Sequence, residues 1–431
     1  RSPWPNLIPA TSISGETSSP LAIRRARTWL DTCQQKHAIC AANDNVELPS
    51  RLIKIHCVGN RFRLHLGKTL DQMGRYVCLS HCWGDQHANR IITTTIANYD
   101  DHLEDIPWDS LSNTFQDAIT ITWKLGLNFV WIDSLCIIQD SNADWQFEAS
   151  KMASIYAKSY LTIAASKSRS SQDGCFTSAN TLHLAHPIPR SNHSSASEIY
   201  ARRALPHGED EWPLLTRGWV LQERLLSPRM LHFGAQELVW ECAAGITCEC
   251  SQSGNSRSSL RSKSHHDGVL AQGDKPVDFR NRWRDVVGEF CKLDLTFSKD
   301  RLPALGGLAT QMKRYRSGRY LAGLWEDSLI VDMLWFFQGE DQNPLPRDED
   351  CHTPSWSWAS VNSKGVTYHM TGAQPIAPDN TWVCKDNIIN TFPTIHEANC
   401  TPLGPDEMGE IKEGQITLSA PLILAQLRHL P

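Results

Sequence analysis

The chain has 431 residues, 41% hydrophobic and 21% charged, a composition typical of a globular protein with one large or two medium domains. Its 42 basic and 47 acidic residues give a formal net charge of −5, which argues against nucleic acid or an anionic membrane as a partner. The longest strongly apolar run, Leu329–Phe337, is interrupted by Asp332 and is too short to span a bilayer.

The numbers of tryptophan and cysteine residues indicate what kind of core the protein has and whether it binds a metal. Sixteen Trp residues indicate a large core or an aromatic-lined pocket, because each buried indole N–H needs a partner. The 14 Cys residues form no compact framework, which is typical of reduced, buried thiols in a cytoplasmic protein. Neither of two candidate metal-binding groups has the paired C-x-x-C pattern of a structural zinc site, so we expect no metal. These groups are Cys33, His37 and Cys40, and Cys242, Cys248 and Cys250.

The first 75 residues are predicted to contain a helix and a hairpin. Residues 21–42 carry apolar side chains at helical spacing. Two strand candidates follow, Arg51–His56 and Arg61–Leu66, separated by the turn sequence Val58-Gly59-Asn60.

Residues 76–250 are predicted to be the core of the protein. Strand candidates at 76–80, 128–132 and 161–165 alternate with helix candidates at 111–125 and 143–158. This alternation predicts an α/β fold with a parallel sheet and right-handed crossovers. A polar excursion at 166–197 precedes a helix at 212–226 and strands at 229–233 and 237–242.

The remaining sequence divides into two parts. Residues 251–275 are rich in Ser, Arg, Gly and His and are predicted to be disordered. Residues 276–431 are predicted to form a C-terminal segment, with helices at 276–294 and 301–315 and then short strands, the last within 416–424.

The order of several motifs resembles the fungal heterokaryon-incompatibility (HET) domain family. The matching segments are 76–84 (YVCLSHCWG), 114–119 (TFQDAI), 131–140 (WIDSLCIIQD), 144–148 (DWQFE) and 152–156 (MASIY), then 217–229 (RGWVLQERLLSPR), 301–305 (RLPAL), 320–325 (YLAGLW) and 354–360 (PSWSWAS). The resemblance implies a parallel-sheet core like that of Toll/interleukin-receptor (TIR) domains or flavodoxin. It places the site in the segment Tyr76–Ala165 and near Arg217–Arg224.

The resemblance also implies alternative functions. Many HET proteins act in non-self recognition between fungal cells and trigger cell death, and several TIR domains hydrolyse NAD. Other HET-like genes lie in secondary-metabolite clusters, where an enzyme acting on a small molecule is expected. This chain has no obvious ankyrin, WD-repeat, nucleotide-triphosphatase or prion-like module, which favours a stand-alone enzyme over a receptor.

Polar residues follow two predicted strands of the core. Ser80-His81 and Asp133-Ser134 both stand where a parallel strand ends, which is where such sheets bind ligands. A carboxylate can orient an imidazole and raise its basicity, so Asp133 could make His81 a general base near neutral pH. The alternative is that Asp133 and Ser80 only make local backbone contacts.

Glu148 is a second catalytic candidate. By analogy with TIR-type enzymes, a glutamate on the helix 143–158 could stabilise the cationic ribose that forms as nicotinamide leaves. The alternative is a salt bridge from Glu148 to Lys151 or to an arginine.

The segment Arg217–Arg224 adds the remaining candidates. Arg217 and Arg224 could clamp a pyrophosphate or form structural ion pairs, while Glu223 could move protons. Aromatic and amide side chains complete the predicted ligand-binding set: Trp83, Trp131, Trp219 and Gln222. The sequence contains no G-x-S-x-G elbow, dinucleotide fingerprint or P-loop.

The sequence is compatible with three functions. The first is a HET protein of recognition and cell death, with NAD as a substrate rather than a cofactor. The second is a cofactor-independent cyclase, dehydratase or isomerase with a Trp-lined pocket. The third is a non-enzymatic recognition module that binds a partner protein. The oligomeric state is open in each case.

Overall fold

The computed structural model describes residues 10–40, 45–59, 61–85, 90–188, 199–205, 212–251, 262–272, 276–337, 352–362, 364–368, 383–384, 387–388 and 393–420. The chain forms two compact units, Arg1–Gln272 and Gly273–Pro431. Within the described ranges no helix is both long enough and apolar enough to cross a membrane.

The first unit alternates strands and helices along most of its length. Its elements are α1 (Pro20–Lys36), β1 (Val46–Glu47), β2 (Arg51–Val58), β3 (Arg61–Lys68), β4 (Met73–Gly74), β5 (Val77–Ser80), α2 (Tyr99–Glu104), α3 (Asn113–Lys124), β6 (Phe129–Trp131), α4 (Asp133–Cys136), α5 (Asn142–Lys158), β7 (Leu161–Ala164), β8 (His186–Pro187), β9 (Tyr200–Ala201), α6 (Gly218–Leu226), β10 (Arg229–Phe233), β11 (Leu238–Cys242), β12 (Gly245–Cys248) and α7 (Ser262–Gln272).

An eight-stranded sheet in the order β12-β11-β10-β7-β5-β6-β2-β3 forms the centre of this unit. Its four middle strands, β10, β7, β5 and β6, are mutually parallel, as the alternation predicted. The outer strands are antiparallel, so the sheet is mixed rather than wholly parallel. Short turns such as the one at Gly59 can join only antiparallel neighbours. The α/β class is therefore established, and the TIR- or flavodoxin-like identity stays a prediction.

The middle strands are buried because both faces of the sheet are covered. Each residue of β5 and β7 is buried, which explains why their sequences are continuous apolar runs. Helix α3 buries Phe115, Ala118 and Ile119, the stripe that the helical spacing predicted. Its C-terminal turn ends at Gly126, whose φ of +83° lies in the left-handed region that glycine tolerates.

Helix α1 packs beside strand β11. Ser19 caps its first turn, where the Ser19 hydroxyl accepts a hydrogen bond from the backbone N–H of Ala22 at 3.2 Å, and Pro20 occupies the first helical position. The helix ends at Lys36 and a short 3-10 turn, Ala38–Cys40, follows it. The predicted helix 21–42 is thus confirmed as far as Lys36, and residues 41–42 lie outside the described residues.

Residues 262–272 form helix α7, although the sequence predicted disorder over 251–275. The buried ammonium group of Lys263 donates to the backbone carbonyl of Leu225 at 3.0 Å and ion-pairs with Asp267 at 3.2 Å. The tertiary contact to Leu225 and this ion pair within the helix stabilise a segment whose composition alone indicated no core. Residues 252–261 and 273–275 lie outside the described residues.

The second unit contains the predicted C-terminal helices and several two-stranded sheets. Its elements are α8 (Pro276–Phe290), α9 (Pro303–Met312), β13 (Tyr320–Leu321), β14 (Leu324–Trp325), α10 (Leu329–Asp332), β15 (Trp335–Phe337), β16 (Val366–Tyr368), β17 (Val383–Cys384), β18 (Asn387–Ile388), β19 (Thr394–Pro402) and β20 (Ile411–Ser419). The indoles of Trp283 and Trp358 both donate to the carbonyl of Gly323, at 2.9 and 3.0 Å. The expected last strand, within 416–424, is described as far as Ser419, and residues 421–431 lie outside the description.

Candidate functional site

Two polar strand ends lie side by side in the first unit. Strands β5 and β6 are parallel neighbours, with Val77 opposite Val130 and Cys78 opposite Trp131. The segments that leave them therefore emerge at the same edge of the sheet. A hydrogen bond of 2.9 Å from Trp83 Nε1 to Asp133 Oδ2 joins these segments. We call Ser80, His81, Trp83, Asp133, Tyr156, Arg217 and Glu223 the strand-tip cluster.

The carboxylate of Asp133 makes a local backbone contact and also contacts another residue of the predicted site. Its Oδ1 accepts a hydrogen bond of 2.7 Å from the backbone N–H of Ser134, at the start of α4. Its Oδ2 binds Trp83, and the residue is only half-buried. The carboxylate is therefore held in a fixed orientation at a place that solvent reaches. Ser134 is fully buried and its hydroxyl has no hydrogen-bond partner among the described residues.

His81 is a buried imidazole beside Asp133. Its ring packs edge to face on Phe115, with the ring centroids 5.1 Å apart. Burial lowers the pKa of His81 to about 4; the charge of Asp133 opposes this effect and that of Arg217 adds to it. His81 is therefore a weaker base than the general base near neutral pH that the sequence suggested, because burial outweighs the carboxylate. The ring is neutral at pH 7, and in the part of the chain that is described Nε2 has no hydrogen-bond partner.

Glu223 is the group of the cluster that titrates near neutral pH. Burial raises its pKa from 4.5 to about 7. The nearby Ser80 and Tyr156 hydroxyls and the Arg217 charge lower the pKa, and the Asp133 charge raises it. The Glu223 Oε2 atom and the Ser80 hydroxyl lie outside hydrogen-bonding geometry with any described residue.

Arg217 positions helix α6 against the end of β5. Its Nη1 donates to the backbone carbonyl of His81 at 2.9 Å, and the side chain is half-buried. Helix α6 begins at the next residue, Gly218, and Glu223 lies on its second turn. The helix thereby places Glu223 near Ser80 and Asp133 at the strand ends.

Arg224 has a different environment from Arg217. Its guanidinium binds both carboxylate oxygens of Glu241, at 2.7 and 2.8 Å. Glu241 also contacts His232 Nε2 at 3.1 Å, and the opposite ring nitrogen lies 2.9 Å from the Ser166 hydroxyl. Burial would raise the pKa of Glu241, but the charge of Arg224 and these hydrogen bonds lower it to about 2. The geometry therefore favours a structural ion pair over a pyrophosphate clamp.

Glu148 is also engaged in ion pairing. Its Oε1 lies 3.5 Å from the guanidinium of Arg51, the first residue of β2. Arg51 in turn binds both carboxylate oxygens of Asp144, at 2.9 and 2.6 Å. Burial raises the pKa of Glu148, although Ser50 and Arg51 lower it in part. The salt-bridge alternative is therefore favoured, with Arg51 as the main partner.

The predicted aromatic and amide residues of the site differ in burial. Trp83 and Trp219 are half-buried, whereas Gln222 is buried. Trp131 is fully buried and packs edge to face on Tyr156, with the ring centroids 5.7 Å apart, so it supports the cluster from within the core. Tyr156, whose hydroxyl donates to the carbonyl of Leu79 at 3.2 Å, was not predicted as a site residue. The sequence feature that could have identified Tyr156 is its position in the family motif 152–156.

One of three comparisons with known proteins finds a match. The family model described as heterokaryon incompatibility protein (HET) matches residues 76–223. These residues contain each member of the strand-tip cluster, from Ser80 to Glu223. The chain therefore carries a heterokaryon-incompatibility (HET) domain over these residues, which supports a protein of the heterokaryon-incompatibility type. No curated protein and no solved structure matches it.

Proposed function

We propose that this HET protein is a cofactor-independent enzyme that moves protons on a small molecule at the strand-tip cluster. The observation that carries the proposal is Glu223, a buried carboxyl at the strand ends with a pKa of about 7 and one oxygen that no described residue binds. General acid–base catalysis is most efficient when the pKa of the catalytic group lies near the operating pH. Glu223 is thus able both to accept and to release a proton at neutral pH.

The other members of the cluster suit the binding of a polar substrate. His81 is neutral and its Nε2 has no partner among the described residues, so it can hydrogen-bond to a substrate oxygen. Arg217 carries a positive charge beside it and can stabilise negative charge that develops on such an oxygen. Asp133 and Trp83, both half-buried, form the side that faces solvent. Isomerisation, cyclisation and dehydration of a carbonyl or hydroxyl compound can each use a proton donor or acceptor together with a charge that stabilises the oxygen.

NAD cleavage by Glu148 has less support. A carboxylate stabilises a ribosyl cation only when it is ionised and directed at that cation. The charge of Glu148 is shared with Arg51 at 3.5 Å, and its pKa is raised by burial. A purely structural recognition module is also disfavoured, because His81 and Glu223 form the perturbed titratable cluster that is typical of catalytic sites.

A metabolite comparison tests the proposal directly. Cells that produce the wild type, Glu223→Gln, Glu148→Gln or the exposed control Glu104→Gln at equal levels are compared by untargeted mass spectrometry. We expect a compound that changes with the wild type, Glu148→Gln and Glu104→Gln but not with Glu223→Gln. Its mass is unchanged for an isomerisation or cyclisation and lower by one water for a dehydration.

NAD and nicotinamide are measured in the same extracts. Nicotinamide release by the wild type and by Glu223→Gln, but not by Glu148→Gln, would replace the proposal with NAD hydrolysis. If no compound distinguishes the wild type from Glu223→Gln, the enzyme proposal is wrong. Infrared spectra of the purified proteins provide an independent check, because a protonated carboxyl band that titrates near pH 7 should be missing only from Glu223→Gln.

A further inference from the structure

Four potential metal ligands converge at the end of helix α1. Cys33, His37, Cys40 and Cys242 each offer one ligand atom, and these atoms all lie within 4.8 Å of one another. Cys33, Cys40 and Cys242 are buried and His37 is half-buried. We call these four residues the Cys3His cluster. Its first three members were one candidate group in the sequence, whereas Cys242 belonged to the other.

Local structure holds the first three ligands in place. Cys33 lies in the last turns of α1, His37 follows the helix, and Cys40 ends the 3-10 turn. The backbone N–H of His37 donates to the carbonyl of Cys33 at 3.2 Å, and that of Cys40 donates to the carbonyl of His37 at 2.9 Å. The fourth ligand, Cys242, is the last residue of β11. The packing of α1 beside β11 therefore completes the set.

The distances suit a tetrahedral ion. Bonds of about 2.3 Å to sulfur and about 2.0 Å to nitrogen place neighbouring ligands about 3.5–3.8 Å apart. The Sγ of Cys242 lies 3.5 Å from Nδ1 of His37, which agrees with this separation. Three thiolates and one imidazole form one of the ligand sets that structural zinc sites use.

A buried arginine provides independent evidence for negative charge at the cluster. Arg229 is only 1% exposed, and in the described part of the chain its guanidinium donates to a thiol and to backbone carbonyls rather than to a carboxylate. Its Nε donates to Cys33 Sγ at 3.4 Å, and its Nη2 donates to the carbonyl of Cys40 at 3.0 Å. Arg229 also donates to the carbonyl of Tyr160 at 3.1 Å and lies over the Tyr160 ring at 5.4 Å. Three neutral thiols would nevertheless leave the guanidinium without a negative counter-charge in the core, which is costly.

A bound dication resolves this charge imbalance. Zn²⁺ with three thiolates and a neutral imidazole carries one negative charge, which the guanidinium of Arg229 balances. Hydrogen bonds from N–H groups to metal-bound thiolates are the usual second layer of such sites. Arg229 also faces Cys242 across the β10–β11 ladder.

We propose that Cys33, His37, Cys40 and Cys242 bind one Zn²⁺ ion that fastens helix α1 to strand β11. Protein atoms fill all four positions, so the ion is structural rather than catalytic. The neighbouring group of Glu237, Cys248 and Cys250 offers only three donors, and Glu237 Oε2 already accepts from the backbone N–H of Cys250 at 2.7 Å. We therefore assign the metal to the Cys3His cluster alone.

The metal content of the purified full chain tests this assignment. After dialysis against metal-free buffer, elemental analysis should find about one zinc per wild-type chain and almost none in Cys33→Ser or Cys242→Ser. Cys57→Ser on the β2–β3 hairpin and Cys248→Ser in the neighbouring group are the matched controls and should keep the zinc. Loss of zinc in Cys248→Ser but not in Cys242→Ser would overturn the assignment.

Cobalt spectroscopy of the wild type tests the site even if the Cys→Ser variants fail to fold. Co²⁺ exchanged into the wild type should give thiolate-to-metal charge-transfer bands and the intense visible bands of tetrahedral Co²⁺. His37→Cys keeps four donors and should retain the ion, with stronger charge-transfer bands. A wild type that binds neither Zn²⁺ nor Co²⁺, or that links Cys33 to Cys40 or Cys242 in a disulfide, would contradict the proposal.

Discussion

The indole of Trp83 donates a 2.9 Å hydrogen bond to the carboxylate of Asp133. This contact joins the segments that leave two neighbouring parallel strands, β5 and β6. Because the other oxygen of Asp133 accepts from the backbone of Ser134 at 2.7 Å, both carboxylate oxygens are fixed. The strand ends, and with them His81, are therefore held in one arrangement before any ligand binds.

The hydrogen bond from Trp83 to Asp133 should contribute to stability. Trp83→Phe keeps an aromatic ring and removes the N–H donor, so it should lower the free energy of unfolding by about 0.5–1.5 kcal/mol. Urea unfolding measures the change. Trp145→Phe, at a residue that is 41% exposed on α5, is the matched control. Equal effects of the two substitutions would show that the Asp133 contact contributes nothing.

The pH dependence of stability should reveal Glu223. Its folded pKa of about 7 exceeds the ordinary value of 4.5, so the folded state favours the protonated carboxyl. The stabilising contribution is complete below pH 4.5 and is lost as the pH rises from 4.5 through 7. The loss amounts to on the order of 3 kcal/mol.

Glu223→Gln should remove this loss. The amide is neutral at every pH, so the variant should be more stable than the wild type at pH 8 and show a flatter profile between pH 5 and 8, by roughly the same 3 kcal/mol. Urea midpoints at several pH values measure it, with Glu104→Gln as the exposed control. A wild-type profile that matches that of Glu223→Gln would contradict the assigned pKa.

His81 should affect the pH dependence of stability at acidic pH. Its folded pKa of about 4 lies below the ordinary value of 6.5, so the folded state favours the neutral ring. This contribution is present above pH 6.5 and is lost as the pH falls through 4. His81→Gln should therefore lose less stability than the wild type between pH 6.5 and 4. An unchanged acid slope in the urea midpoints would refute the burial of a neutral imidazole.

Arg224 is predicted to be structural. Arg224→Met leaves the buried carboxylate of Glu241 without its cation and should cost about 3–5 kcal/mol of unfolding free energy. The double variant Arg224→Met/Glu241→Leu removes both charges and should recover much of that loss. Chemical denaturation measures both variants. A stable Arg224→Met protein that has lost only its activity would instead indicate a ligand clamp.

Substitutions of Arg51 and of Glu148 should differ in their effect on stability. Arg51→Met strands two acidic side chains, Asp144 and Glu148, and should cost about 3 kcal/mol or more. Glu148→Gln keeps a hydrogen-bond acceptor for Arg51, and Asp144 still pairs with Arg51 at 2.6 Å, so the change should be about 1 kcal/mol or less. Activity should survive in Glu148→Gln. An inactive but stable Glu148→Gln protein would place Glu148 in the reaction.

Much of the fold could be predicted because its elements have strong local signals. Buried parallel strands are continuous apolar runs, α3 has a clear helical stripe, and Gly59 and Gly126 stand where the backbone needs a positive φ. Helix α7 could not be predicted in this way. Its order depends on the contact from Lys263 to Leu225, which the composition of the segment does not encode.

The residue types at the site were fixed by the sequence, and their chemical states were decided by the tertiary structure. The pattern alone identified Ser80-His81, Asp133 and the segment 217–224 as polar positions that follow buried strands or lie on a helix beside them. It could not decide that Glu223 is protonated near neutrality, that Arg224 is neutralised by Glu241, or that Cys242 meets Cys33 and Cys40. Charge state and coordination depend on burial and on partners distant along the chain, and only the packed fold brings those together.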